Sequence, residues 1–284
     1  MNGKQITWEE AVLRLKSEKQ MESLVNACYY DDPLAAAAQR FAASEEWQAV
    51  CQILADWLPG KALDLGAGHG ISSYALARQG CKVLALEPDP SGVIGAKAVR
   101  SLAQETGAAI TVVRGHGETL PFVDASFDIV YGRQVLHHAA NLRRLCGEVA
   151  RVLRPGGIFI ATREHVISKL TDLDVFLQAH PLHHLYGGEN AFLLKKYQQG
   201  IVEAGLLIKK IYGPYDSVIN YFPLSKAEYR EGIAKALAKV VGKALARGIA
   251  GRGMVQSLVG CMRSWLSDAP GRLYSFVAVK SRVS

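Results

Sequence analysis

Ala62-Leu63-Asp64-Leu65-Gly66-Ala67-Gly68-His69-Gly70-Ile71 is the stretch that decides the fold. A short apolar run ends on an acid, three glycines alternate, and a helix-forming run follows. Apolar residues in an unbroken run of strand length predict a strand buried on both faces, as in a parallel sheet. Glycines keep the turn tight and let a ligand approach the backbone. The helix beyond the turn points its unpaired N–H groups back at it. Asp64 ends the strand, so its carboxylate faces the crevice outside the sheet's carboxyl edge.

Working outward, the chain alternates strands and helices, which predicts an α/β, Rossmann-like, doubly wound and mostly parallel sheet of seven strands with an antiparallel last strand. The expected strands are 61–65, 82–86, 109–113, 127–131, 157–162, 206–212 and 274–280. Helices are expected over 71–79, 90–105, 141–153, about 170–179 and 191–204, and Arg154-Pro155-Gly156-Gly157 reads as a sharp turn. Upstream, Thr7-Trp8-Glu9-Glu10 is a capping box, and its helix should turn Val12, Leu13 and Leu15 inward. Asp32-Pro33 and Ser44 start two more helices. The expected organisation is a helical cap over 1–60, a Rossmann-like core over 61–212, a helical insertion over 213–273 and the core's last strand over 274–284.

The 284 residues are 49% apolar, enough for a sizeable core without disulfides. Five scattered cysteines with no C-x-x-C pair, and a charged rather than apolar N-terminal segment, predict a cytoplasmic protein. No apolar run approaches the length of a membrane span. The net charge of +7 is unevenly placed: residues 225–284 hold eleven Lys/Arg against three Asp/Glu. Lys235, Lys239, Lys243 and Arg247 recur every four residues, opposite Ile233, Leu237, Val240, Val241, Ala244 and Leu245, and predict a basic amphipathic helix. A second, more apolar helix is expected over 254–266. Such a surface reads either as a solvated helix face or as a peripheral contact with an anionic membrane. With few aromatics among these cations, nucleic acid is not the expected partner.

The glycine spacing departs from the dinucleotide fingerprint G-x-G-x-x-G, because Ile71 stands at the third position and the extra glycine is Gly70. Asp-Leu-Gly-Ala-Gly-His-Gly resembles instead the first motif of class I S-adenosylmethionine-dependent methyltransferases. Further along come Glu87-Pro88, Gly117-Glu118-Thr119-Leu120-Pro121-Phe122, Phe127-Asp128-Ile129-Val130, Leu136-His137-His138 and Arg154-Pro155-Gly156-Gly157. This order is similar to the small-molecule group that includes the ubiquinone and menaquinone biosynthesis methyltransferases. The resemblance implies S-adenosylmethionine as cofactor, contacted by Asp64, Gly66, Ala67, Gly68, Gly70, Glu87, Pro88, Gly117, Glu118 and Gln134. His116 stands where the group commonly has an acid at the adenine amine, which weakens that one carry-over.

The implied reaction is in-line methyl transfer to O, N or C of a small molecule: a glycan, lipid-linked or secondary-metabolite intermediate. The methyl group is already activated, so the enzyme mainly positions the acceptor, and a base is needed only for a poor nucleophile. Six of the eight histidines fall within 137–184, in loops or element ends on the expected active-site edge. The expected catalytic groups are His138, Glu164 and His165, and the expected acceptor contacts are Tyr29, Tyr30, His137, Arg163, His183 and Glu189. Aromatic faces also suit a sulfonium cation. His165, His180, His183 and Glu189 are of metal-ligating type, but their spacing matches no short motif, and no metal is expected. The competing readings are a nicotinamide-dependent oxidoreductase and a non-catalytic cofactor-binding module.

Overall fold

The computed structural model of the chain describes residues 6–282; residues 1–5 of the expected cap and 283–284 of the expected last segment lie outside them. The strands are β1 Lys61–Leu65, β2 Lys82–Leu86, β3 Ile110–Val113, β4 Phe127–Arg133, β5 Leu153–Ile167, β6 Phe192–Leu193, β7 Leu206–Tyr212 and β8 Arg272–Lys280. They form one sheet in the order β3-β2-β1-β4-β5-β8-β7, with the two-residue β6 beside the far end of β5. β1 to β5 pair in parallel, and β8 runs antiparallel between β5 and β7. The expected α/β, doubly wound architecture is the observed one, with β6 as a short additional strand.

Side chains alternate between two cores, as the period of a strand requires. Leu63, Val130, Phe159 and Phe276 pack with the helices Leu142–Val152 and Leu194–Glu203 on one face. Ala62, Ile129, Tyr131, Ile160 and Val277 pack on the other with the helices Leu34–Ala43, Glu45–Leu54 and Ile71–Arg78. Trp47 and Phe41 from the N-terminal helices are fully buried there, so these helices form a layer of the main core.

β5 extends well past the expected strand at both ends. Arg154 to Gly157 lies inside it as a register irregularity against β4, not as a turn, with Gly156 at φ +78°. At the other end, pairing of Glu164, His165 and Val166 with Tyr274, Leu273 and Arg272 of β8 carries the strand over the sheet edge. A second irregularity lies between Ala161 and Glu164, where Arg163 has φ +61° and its N–H bonds Ser275 Oγ at 3.1 Å. Bulges of this kind re-aim side chains at a strand end, and here the change falls between Arg163 and Glu164.

The helix expected from Pro90 begins only at Ala96. Asp89 takes the N–H groups that would start it earlier: Ser91 N–H bonds its carboxylate at 2.7 Å and Ala96 N–H its carbonyl at 2.7 Å. The intervening loop is tied to the helix Trp8–Ser17, whose Glu9 carboxylate accepts the N–H groups of Gly92 and Val93, each at 3.0 Å. In that helix the capping box forms as expected, but Leu13 is exposed and Ala11 takes the inward position. Asp32 does not cap its helix; it pairs with Lys16, and Pro33 holds the cap position. The expected basic helix is two helices, Lys226–Val241 and Lys243–Ala250, because Gly242 breaks it at φ +80°. Of its expected apolar face Ile233 is buried, whereas Val240 and Leu245 face solvent. Among the described residues, no helix is long and apolar enough to cross a membrane.

Candidate active site

The turn after β1 sits at one end of a cavity of about 320 Å³ along the carboxyl edge of the sheet. Gly66, Gly68 and Gly70 have φ of +64°, +56° and +91°, a region that favours glycine. A Cβ on Gly66 would lie 2.0 Å from Val135 Cγ2, so the turn and the loop after β4 are packed backbone against side chain. Glu87 ends β2 at this turn. Its carboxylate accepts Gly68 N–H at 2.7 Å and Asp89 N–H at 2.9 Å, and each oxygen keeps a second lone pair. Burial raises Glu87 to about 7, against the pull of those two N–H groups. Asp64 lies one layer below, bonded by Ser73 Oγ at 2.5 Å and raised to about 7, again chiefly by burial. A turn with free approach to its backbone, beside a buried hydrogen-bond-accepting carboxylate, fits the ribose and amino-acid parts of S-adenosylmethionine.

The other end of the cavity is made by three histidines and two carboxylates from distant segments. Glu164, fully buried on β5, accepts the backbone N–H groups of Val135, Leu136 and His137 at 3.0–3.1 Å and His137 Nδ1 at 2.7 Å. On its other side, His137 Nε2 lies 3.6 Å from Glu189 Oε2. Burial pulls His137 down, but Glu164 and then Glu189 outweigh it and hold the imidazole at about 9, protonated at neutral pH. Glu189 also accepts Tyr186 Oη–H at 2.5 Å; although burial pushes its carboxyl up, His137 and the neighbouring histidines hold it well below the usual range. His165 faces Gly271 O with Nδ1 at 2.9 Å, and burial, then the charge on His137, lowers it to about 3. His138 faces Gly188 O with Nδ1 at 3.0 Å and is lowered to about 4 by the same two causes, against the pull of Glu189 and the Gly188 carbonyl.

Of the residues expected from the sequence, Gly66, Ala67, Gly68, Glu87, Pro88, Gln134, Tyr30, His137, His138, His165 and Glu189 line this one cavity. Others stand elsewhere. Glu118 accepts Ala140 N–H at 2.9 Å at the start of the helix after β4, and Gly117 packs against Leu145. Tyr29 is buried between Phe41 and Phe222, and only its carbonyl, 3.0 Å from His69 Nε2, approaches the turn. The bulge turns Arg163 away to the carbonyls of Ile219 and Phe222, 2.9 and 3.2 Å from Nη1. Glu164 is behind His137 with both oxygens occupied, and His183 lies outside the lining. The sequence reading missed Trp8, His69, Arg133 and Tyr186, which line the cavity, and weighed His180, also in the lining, only as a metal-ligand type. Arg133 had a readable signal, being the residue before Gln134 at a strand end; its guanidinium pairs with buried Glu46 at 2.7 Å. A wider groove of about 830 Å³, lined by Tyr212, Asp216 and Tyr229 among others, lies away from the glycine turn and includes none of these groups.

Residues 63–161 match the family described as "Methyltransferase domain". Residues 63–161 thus carry a methyltransferase domain. The match runs from within β1 into β5 and includes the glycine turn, Glu87 and Gln134. An uncharacterized methyltransferase of Mycobacterium sp. (strain JLS) is 34% identical over 154 residues, 52% of this chain and 54% of that protein. The chain thus spans about half the length of this curated relative. Among solved structures, geranyl diphosphate methyltransferase in complex with S-adenosylmethionine aligns with a TM-score of 0.56 at 16% identity, over 91% of this chain and 95% of that one. The cyclase SpnF aligns with a TM-score of 0.54 at 19% identity, over 83% of this chain and 81% of its own. One fold thus carries both names, so it is the residues of the site that argue for a reaction.

Proposed function

We propose that the chain transfers a methyl group from S-adenosylmethionine to a small-molecule acceptor held at the histidine end of the cavity. The observation that carries this reading is continuity: the glycine turn and the side chains of His137, His165 and Glu189 line one cavity. Gly66, Gly68 and Glu87 would hold the cofactor, which when bound supplies a methyl group already activated on sulfur. Glu87 would accept the ribose hydroxyls. Gln134, at φ +56° on the loop after β4, would mark the boundary between cofactor and acceptor.

At the acceptor end, His138 and His165 are neutral at neutral pH and each binds a carbonyl through Nδ1, which leaves Nε2 with a lone pair. His138, and His165 while no cation is bound there, would accept a hydrogen bond from the acceptor's O–H or N–H and orient its lone pair. Glu164 acts through His137 and is a positioning residue. Tyr30, Trp8, Leu182 and Tyr186 form an apolar and aromatic wall that would keep water out. Incubation with S-adenosylmethionine and a metabolite extract should yield S-adenosylhomocysteine, lost in Glu87→Ala and reduced in His165→Ala. Cofactor binding with no turnover on any extract would favour the non-catalytic module, and binding of a nicotinamide dinucleotide instead would favour the oxidoreductase.

A further inference from the structure

The histidine end of the cavity has a donor geometry beyond what positioning an acceptor requires. A ring nitrogen of His137, a ring nitrogen of His165 and a Glu189 carboxylate oxygen lie within 4.8 Å of one another, with His137 Nε2 3.6 Å from Glu189 Oε2. Each imidazole is oriented from behind: His137 Nδ1 by the Glu164 carboxylate at 2.7 Å, and His165 Nδ1 by the carbonyl of Gly271 at 2.9 Å. A carboxylate or carbonyl behind Nδ1 holds the proton there, so Nε2 becomes the ligand atom once a cation displaces the second proton of His137, the outer-shell pattern of metal-binding histidines. We propose that His137, His165 and Glu189 bind a divalent first-row transition cation. Two imidazoles and one carboxylate suit zinc or iron(II), and three protein ligands leave coordination positions open.

The open positions face the cavity whose opposite end is the cofactor turn. The ligand that completes the shell is therefore the acceptor, which makes it an oxygen acid such as a hydroxyl, whose proton a bound cation loosens. That last step rests on the methyl-transfer reading; the cation site does not. The test is titration of chelator-treated protein with cobalt(II), followed by visible absorption and by thermal melting. Wild type should take up cobalt with an intense low-coordinate band and melt higher. His165→Ala and Glu189→Gln should lose both responses, Glu164→Gln should weaken binding about 10–100-fold, and His183→Ala should bind like wild type. Calorimetric binding of S-adenosylmethionine in each variant checks that it is folded. Cobalt binding unchanged in His165→Ala and Glu189→Gln, or absent from wild type, overturns the site. Cobalt binding without any methyl transfer overturns only the acceptor assignment.

A separate surface carries a second inference. On the helix Gly253–Leu266, Met254, Leu258, Met262, Trp265 and Leu266 are all more than half exposed, Trp265 at 82%. The helix docks through its other face, where Gly260 meets the carbonyl of Tyr215 and Ser264 bonds Asp216 at 2.9 Å. Val240 and Leu245 of the adjoining helices are exposed as well, and the same two helices expose Lys235, Lys239, Lys243 and Arg247. We infer that this face docks on an anionic lipid leaflet. Exposed apolar side chains together with exposed cations are what a helix lying in a membrane interface presents, and a second copy would set like charges against each other. Vesicles of phosphatidylglycerol should co-sediment the protein and vesicles of phosphatidylcholine should not. Leu258→Ser with Trp265→Ser should cut pelleting at least tenfold, and high salt should weaken it. Equal pelleting with both lipids, or with neither, overturns the inference; so does a lipid-independent dimer abolished by the same pair of substitutions.

Discussion

The two ends of the cavity are built by opposite strategies. The cofactor end is mostly backbone: a run of seven residues, 64–70, supplies the turn, and one side chain, Glu87, completes it. The acceptor end is mostly side chain: His137, His165 and Glu189 come from the loop after β4, the overhang of β5 and the loop before β6. A backbone cradle needs only permissive residues at a strand end. A cluster of buried titratable groups needs each charge answered by a neighbour. The first should therefore tolerate little change in shape, the second little change in charge.

The largest expected effect tests the second half of that contrast. Glu164→Ala strands three backbone N–H groups and the His137 imidazolium in a buried site, and should cost about 3–5 kcal/mol of stability by denaturant unfolding. Its affinity for S-adenosylmethionine should change little, because Glu164 lies outside the cofactor end. Next, Gly66→Ala tests shape: a Cβ at φ +64° and 2.0 Å from Val135 should cost about 2–4 kcal/mol and abolish measurable cofactor binding. If Gly66→Ala binds normally while Glu164→Ala does not, the contrast is reversed.

A smaller effect is set by pH. Glu87 is raised from its ordinary value to about 7 by burial, so in the free protein the carboxyl is largely protonated at pH 6. Accepting ribose hydroxyls requires the carboxylate. Affinity should thus rise as pH increases, up to about tenfold per unit below 7 and flattening above it, and Glu87→Gln should flatten the profile. The sign for stability is opposite. A raised folded pKa contributes stability that is full below the ordinary value and lost as pH climbs to about 7, so cofactor protection in thermal melts should grow over that window. The smallest effect is His183→Ala, outside the cavity lining, which should shift neither cofactor affinity nor cobalt uptake.

The same contrast explains what could be read in the sequence. The parallel sheet, the glycine turn and Glu87 were legible because each is local: an apolar run, a glycine spacing, an acid one strand later. The acceptor end was legible only as a crowd of histidines. Nothing in the spacing of His137, His165 and Glu189 shows that β5 runs past the sheet edge, since that follows from pairing with β8, more than a hundred residues further on. The bulge that sends Glu164 behind His137 and Arg163 to the opposite side has no local signature either. Tyr29 and Tyr30 are adjacent, yet the positive φ of Tyr29 puts one ring in the core and the other on the cavity. Gly242 was the opposite case: a visible glycine whose break the four-residue spacing of the lysines masked.

The central claim is that the turn at 64–70 and Glu87 hold S-adenosylmethionine, and calorimetric titration tests it most directly. Wild type should bind S-adenosylmethionine and not a nicotinamide dinucleotide. Glu87→Ala removes the acceptor of the ribose hydroxyls, each such bond to a charged group contributing about 1.5–3 kcal/mol, so its affinity should fall at least tenfold with the fold intact. Unchanged affinity in Glu87→Ala, or tighter binding of the dinucleotide by wild type, would contradict the account.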